Sequence, residues 1–463
     1  MTSSALSSRI RFTACVVATA VAFGPGARAD TSRAYAITGA RIVTVSGAPI
    51  QSGTIVLRGG FIESVAAGSQ PPADAVVLDG AGMTVYPGLI DMGNSAGTDI
   101  QVNLQQAQQG ARTTDEAERA KRGAILRPHV LAAEHVKLDA PELARLAAGG
   151  VTSVLATPPG ILIKGQSALV NVTTPDFEPI VGAIAEPRAG LNVVKSPVAL
   201  HVELARVGGD GFPEALLGAI AFVRQSFIDA QYQQTVNQRY QKMSIGVARP
   251  PFDPALDALQ PALAGREPVA FEAGLQREIT RALDMAKEFK LSPIITGGIE
   301  ADLASVELKG AGAKVLVSLN YPARSRAMAP DAEEPVRELR LRARAAKAPG
   351  ELAKAGIPFA FSGAGLAAPG DFVKNVARAV KDGLSEDGAL RALTLDAAKI
   401  AGAGDRLGSL EKGKIANVIV TDGDLFNERT RIRHVFVDGR MVNIDVPDTS
   451  AGRGGRGRGG FMR

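Results

Sequence analysis

The groups that could do chemistry are few. Histidine occurs four times in 463 residues, as His129, His135, His201 and His434, and cysteine once, as Cys15. His129 and His135 are six positions apart, roughly 240° around a helix, so on one helix they face different ways and cannot grip a common ion. His434 lies in a strand-like run near the C-terminal end. His201 closes the run Pro-Val-Ala-Leu-His and is the one imidazole near a plausible strand end, where it reads either as a structural residue or as a catalytic one. Asn94, Ser95 and Asn320 also fall at strand ends and are candidates to line a polar pocket. Lys164 follows the Pro-Pro-Gly of residues 158–160, in a loop that borders such a pocket; a lone lysine there is expected to be solvated. Glycine-rich stretches such as Gly363-Ala364-Gly365 lack the strand, GxxxxGK[ST] and helix context of a phosphate loop.

Positioning these groups falls to short apolar runs alternating with amphipathic stretches. Residues 150–156, 267–272, 291–298, 313–319 and 357–363 read as buried strands. Helices are predicted over 141–148 and 276–289, and a longer helical insertion over 212–242 interrupts the series. Right-handed βα repetition over roughly 250 residues or more is what a TIM-type barrel requires. The chain ends read differently: 37–43 and 53–60 near one end, and 416–420 and 432–439 near the other, alternate like half-buried strands. The expected fold is α/β, a TIM-like (β/α)8 barrel over residues 88–403. A small β-sandwich module formed from both chain ends, 30–87 and 404–446, completes it.

Hydrophobic residues make up 46% of the chain and charged residues 21%, which suits a globular protein with a sizeable core. Beyond the N-terminus no apolar run is long enough to span a bilayer. Aromatic residues are only 5%, with Trp absent, which disfavours a site of stacked rings for sugars or bases. Residues 1–29 read as a secretory leader: Arg9 and Arg11 form its basic start, 12–23 its apolar stretch, and Ala27-Arg28-Ala29 its cleavage pattern, leaving Asp30 first. A periplasmic or secreted protein is therefore expected. Cleavage also removes Cys15, so the mature chain would hold no disulfide, thiolate nucleophile or zinc–sulfur site. The 52 basic residues exceed the 47 acidic ones by five, but Arg9, Arg11 and Arg28 belong to the leader. Four more, Arg453, Arg456, Arg458 and Arg463, lie in an Arg/Gly-rich tail over 447–463. A near-neutral body argues against a nucleic-acid partner. The tail itself reads as a flexible, solvated terminus.

At Tyr86-Pro87-Gly88-Leu89-Ile90-Asp91 the chain resembles the amidohydrolase superfamily, most of all its imidazolonepropionase- and prolidase-like branch. Ala-Leu-Thr-Leu-Asp-Ala-Ala-Lys at 392–399 is similar to the family's late helix. Arg-Leu-Gly-Ser-Leu-Glu-Lys-Gly-Lys at 406–414 is similar to its return into the β-module, and Val-Phe-Val-Asp-Gly-Arg at 435–440 to its last strand. The resemblance covers nearly all of the mature chain. It implies a site at the C-terminal ends of barrel strands, where imidazoles and a carboxylate hold one or two divalent metals, zinc or similar. Such a metal lowers the pKa of its bound water to about 7, and an aspartate on the last strand carries the proton to the leaving group. Carried onto this chain, the resemblance puts Gly93 and Ser95 where the His-x-His pair would fall. Glu272, with Gly274 nearby, stands at another histidine position, and Gly297 and Gly298 at a third. Ser362-Gly363-Ala364 replaces the pattern that ends in the aspartate. Glycine and alanine offer no ligand atom, so the metal site reads as dismantled and no cofactor is expected. Lys195, considered as a carboxylated bridging lysine, would have nothing to bridge.

What remains is Glu272, the one ionisable residue at a family ligand position. It reads as a general base if burial raises its pKa, or as a barrel-mouth carboxylate paired with a lysine or arginine. Asn94, Ser95, His201, Asn320 and Ser362 are the pocket-lining candidates, and Asp91 keeps a structural role. The leading expectation is an exported pseudo-hydrolase that binds a small-molecule ligand or supports a partner, either a homologous active subunit or a second copy of itself. The alternative is an active hydrolase of C–N bonds, in non-peptide or dipeptide substrates, with a remodelled site. An adhesive or nucleic-acid role for the tail ranks behind both.

Overall fold

The computed structural model describes residues 33–94, 98–137, 140–173, 191–208, 212–246, 248–325, 327–329 and 331–444; the predicted leader, Ser95 and the Arg/Gly tail lie outside the described residues. The strands run β1 (Ala34–Ile42), β2 (Ile50–Arg58), β3 (Phe61–Ala67), β4 (Ala75–Asp79), β5 (Thr84–Pro87), β6 (Leu89–Asn94), β7 (Val151–Ala156), β8 (Ile163–Gln166) and β9 (Ala168–Val172). They continue as β10 (Leu191–Lys195), β11 (Leu200–Glu203), β12 (Val269–Ala273), β13 (Pro293–Gly297), β14 (Lys314–Ser318), β15 (Phe359–Ser362), β16 (Val418–Thr421), β17 (Ile432–Val437) and β18 (Arg440–Val442).

Both chain ends contribute to one eight-stranded sheet, ordered β18-β17-β16-β5-β1-β2-β3 with β4 beside β1. The two ends meet where β5 pairs antiparallel with β16, Tyr86 opposite Ile419. A buried polar cluster ties this sheet to the centre. Asn417 donates to Ser153 (3.1 Å) and Asn171 (2.9 Å), and Asn171 donates to Asp438 (2.6 Å). Every member satisfies another, which is the condition for burying polar groups cheaply.

The central strands form two further sheets, β15-β14-β13-β12-β11-β8 and β10-β9-β7-β6. From β11 to β15 all neighbours are parallel, with helices between successive strands. Both faces are covered, so these strands are apolar at nearly every position, as parallel strands should be. Alternation still sorts them. Phe271, Ile295, Val315 and Phe361 pack into the large outer cluster with the helices, whereas Ala270, Ile294, Leu316 and Ala360 pack into a separate inner one. Ile90, Met92 and Ala199 join that inner cluster, together with Ala397, Ala398 and Ile400 from the late helix Leu395–Ile400.

The helix Gln276–Phe289 has the bounds its periodicity predicts, burying Ile279, Ala282, Leu283 and Ala286. The insertion helix spans Leu216–Lys242, starting four residues later than expected. Pro213 keeps Phe212 out of the helical region, and the N-cap Ala215 is itself extended. The helical premise for His129 and His135 also fails. The helix Thr114–Ile125 stops before Pro128, and His135 follows a single short turn, Ala132–Glu134, with its Nδ1 3.0 Å from Asp99 Oδ1.

Candidate functional site

Stepping two residues along each strand from the inner apolar layer, on the same face, reaches a polar layer. Ala270 leads to Glu272, Ile294 to Thr296, Leu316 to Ser318 and Ala360 to Ser362, while Ala199 leads to His201 and then Glu203. These side chains line a cavity of about 560 Å3 at the C-terminal ends of the strands, with Lys164, Glu278 and the Pro158–Gly160 turn on its wall. Parallel register sets Glu203 directly beside Glu272 across β11 and β12.

Two adjacent carboxylates repel unless something positive stands between them. Lys164 does so: its Nζ donates to Glu272 Oε1 (2.6 Å) and pairs with Glu203 Oε2 (2.9 Å). The solvated lysine expected at this position is instead buried, its side chain 10% exposed against 32% for Glu203 and 39% for Glu272. Its aim comes from a local irregularity. β8 pairs antiparallel with β11, but Gly165 lies opposite His201 and Ile163 opposite Val202, so Lys164 is an extra residue in the ladder. A bulge of this kind re-aims one side chain. The backbone bends through Gly165 at φ +132°, and a Cβ there would meet the Val130 carbonyl oxygen at 2.6 Å. Burial alone would depress the Lys164 ammonium, but the charges and hydrogen bonds of Glu272 and Glu203 outweigh it and hold its pKa above the ordinary lysine value.

His201 lies on the same wall, 2% exposed, and its Nε2 has no hydrogen-bond partner among the described residues. Burial first, and the Lys164 charge second, push its pKa down to about 3, so the ring is neutral at any physiological pH. Glu278 is spoken for, accepting the N–H groups of Gly274 (3.1 Å) and Leu275 (3.0 Å). Asp91, in β6, accepts from Gly363 N–H (2.6 Å) and Gly93 N–H (3.1 Å), which links β6 to the residue after β15. Its burial outweighs those two bonds and raises the carboxyl to about 7.

Of the sequence candidates, the cavity brings together Glu272, His201 and Ser362. Asn94 ends β6 opposite Ala156. Asn320 is exposed, its N–H bonded to Ser318 Oγ, and it is not among the lining residues. His434 sits in β17 of the terminal sheet, and Lys195 ends β10. Sequence reasoning missed Glu203 and the role of Lys164. The signal for Glu203 was its position two residues after His201 on one strand, which puts both on one face.

Residues 295–442 match the family model described as the amidohydrolase family. Over that segment the chain is similar to the amidohydrolase family. Among solved structures, an amidohydrolase from Thermotoga maritima MSB8 superposes with a TM-score of 0.69 at 22% identity, covering 88% of this chain and 99% of that one. A Xaa-Pro dipeptidase with bound methionine in its active site gives 0.52 at 16% identity, with coverages of 88% and 99%. A prolidase complexed with N-methylphosphonate-L-proline gives 0.50 at 20%, again over 88% of this chain and 99% of that one. No curated protein matches the sequence. The closing motifs at 392–399, 406–414 and 435–440 lie inside the matched residues, so the resemblance they carry is borne out, and the fold shared with the solved structures is a mixed α/β one.

The residues present do not fit the divalent metal that amidohydrolases use. The space between the two carboxylates is taken by the Lys164 ammonium. At Gly93, where the resemblance puts a histidine, even a Cβ would meet Ser362 Oγ at 2.2 Å. Among the described residues, no three histidine, cysteine, aspartate or glutamate side chains converge to hold an ion.

Proposed function

We propose that this chain is an exported amidohydrolase-fold protein that binds a small-molecule ligand, or supports a partner subunit, without the metal-hydroxide centre of its relatives. One observation carries the reading: the cation between Glu203 and Glu272 belongs to the chain itself, as Lys164 Nζ at 2.9 and 2.6 Å. A tethered ammonium brings no bound water to be ionised, which is the step a metal would supply. The partner in the second case is a homologous active subunit or another copy of this chain.

The test is a paired measurement on the full chain. Zinc and manganese are titrated in by calorimetry, and turnover is assayed against cyclic amides and dipeptides with and without chelator. Neither tight metal binding nor turnover is expected; chelator-sensitive hydrolysis overturns the reading. A second reading keeps C–N bond hydrolysis with Glu272 as a base, supported by the place of that side chain on the cavity lining and its 39% exposure. Turnover lost in Glu272→Ala would establish it, and unchanged turnover would remove that centre.

The finer architecture belongs to the same proposal. The two central sheets close into a TIM-like barrel where Asp91 meets the Gly363 N–H, and the terminal sheet folds over as a β-sandwich module. Export is read from residues 1–29 and is checked by N-terminal sequencing of the protein recovered from its own cells, with Asp30 expected first. No helix among the described residues is long and apolar enough to cross a membrane.

A further inference from the structure

We propose that the cavity takes a small organic ammonium, a primary or secondary amine in its protonated form, held by the outward oxygens of Glu203 and Glu272 with His201 Nε2 as a further acceptor. This rests on the ligand-binding reading above and names the chemistry of the ligand. Three observations lead to it. The carboxylates of Glu203 and Glu272 are 32% and 39% exposed while the ammonium that pairs them is only 10% exposed, so an incoming molecule meets oxygen first. Counting Glu278, three carboxylates line the cavity against one lysine, and the lining histidine is neutral, so the field favours a cation. His201 lines the cavity, and its Nε2 is buried with no hydrogen-bond partner among the described residues; such atoms are costly unless a donor reaches them.

The same observations narrow the class. Among the described residues no Phe, Tyr or Trp lines the cavity, so a quaternary ammonium, which has no N–H and relies on such ring faces, is poorly matched to it. An anion would have to approach past the carboxylates to reach Lys164. A metal ion would have to evict a tethered ammonium. A primary ammonium has three N–H bonds to match open acceptors, and about 560 Å3 leaves room for an aliphatic body beside Met92 and Ala273.

The probes are n-butylamine, choline and butyrate, titrated into the full chain at pH 7 by calorimetry. Ring 15N spectra of labelled histidine are followed in parallel, since only His129, His135, His201 and His434 contribute. Butylamine is expected to bind saturably and to shift the resonance of His201, with choline at least tenfold weaker and butyrate not binding. Glu203→Gln and Glu272→Gln should each weaken butylamine about tenfold, while Lys164→Met, which frees both carboxylates, should tighten it. Choline or butyrate binding as well as butylamine, or amine binding untouched by both glutamine variants, overturns the proposal. If butylamine binds without moving the His201 resonance, the site lies elsewhere and the proposal is likewise wrong. Failure of the ligand-binding reading shows separately, as chelator-sensitive turnover in the unliganded protein.

Discussion

Lys164→Met tests the central arrangement because it keeps an unbranched apolar stem and deletes the ammonium, both its charge and its donors. Two ion pairs disappear, at 2.6 and 2.9 Å, and Glu203 and Glu272 are left side by side on neighbouring strands. Removing one partner of a fully buried pair costs about 3–5 kcal/mol. Both glutamates here are about one-third exposed, so water screens part of that. The expected loss is about 1.5–3 kcal/mol at pH 7, read as a lower urea midpoint at constant slope.

Glu272→Gln alone should cost about 1 kcal/mol, since Glu203 still faces the lysine. In the Lys164→Met background the same substitution removes half of the uncompensated charge and should restore stability. The cycle therefore has a coupling energy of about 1–2 kcal/mol. A variant within about 0.5 kcal/mol of the parent, with strictly additive costs, would refute the claim that Lys164 balances these two charges.

Glu267, at the foot of β12, is 4% exposed with neither carboxylate oxygen partnered among the described residues, and burial raises its pKa to about 7. A raised carboxyl keeps its proton in the fold while the unfolded chain has lost it, so stability is full below the unfolded value and falls as the pH rises toward 7. Glu267→Gln removes that slope, and the parent should lose about 2–3 kcal/mol more than the variant between pH 5 and 8, measured by urea unfolding. Asp91→Asn keeps an acceptor for the Gly363 and Gly93 N–H groups and deletes a charge whose pKa burial also raises; it should match the parent near pH 5 and exceed it at pH 8 in thermal midpoint. Asp91→Ala, which orphans both N–H groups, should lose about 2 kcal/mol or more at either pH in the same scan. Gly165→Val puts a Cβ 2.6 Å from the Val130 carbonyl at a φ of +132°; a loss of about 2 kcal/mol or more is expected in urea unfolding.

Strands β7 and β12 to β15 were legible because their apolar runs were strong, whereas the short strands β8, β9 and β10 gave no such run and were not read. Residues 276–289 carry an unbroken helical pattern, and the parallel strands are apolar runs bounded by glycine and proline. The site was legible only where a motif anchored it. Glu272 and Ser362 came from their offsets to a family pattern, and both do face the cavity. Lys164 defeated sequence reasoning for a physical reason: its burial depends on a ladder irregularity between β8 and β11, and periodicity cannot register a single extra residue. Asn320 failed the other way, since a strand-end polar residue points into the mouth or away from it according to the turn that follows.

The charge arrangement explains why these elements hold together as a site. Two carboxylates facing each other from adjacent parallel strands need a cation between them, whichever chemistry the cavity serves. A divalent ion meets that need reversibly and carries water with it. A lysine from a third strand meets it permanently and carries none, so the geometry of Glu203 and Glu272 is fixed by the chain alone. Ligand affinity should then be indifferent to chelators, and specificity should depend on the acceptors that Lys164 leaves open. Those are the outward carboxylate oxygens and the unpartnered nitrogen of His201. An arrangement with carboxylate acceptors exposed and its one cationic donor buried selects for a cationic donor in the ligand, which is why an amine, rather than the acyl group a hydrolase would polarise, is the molecule to try first.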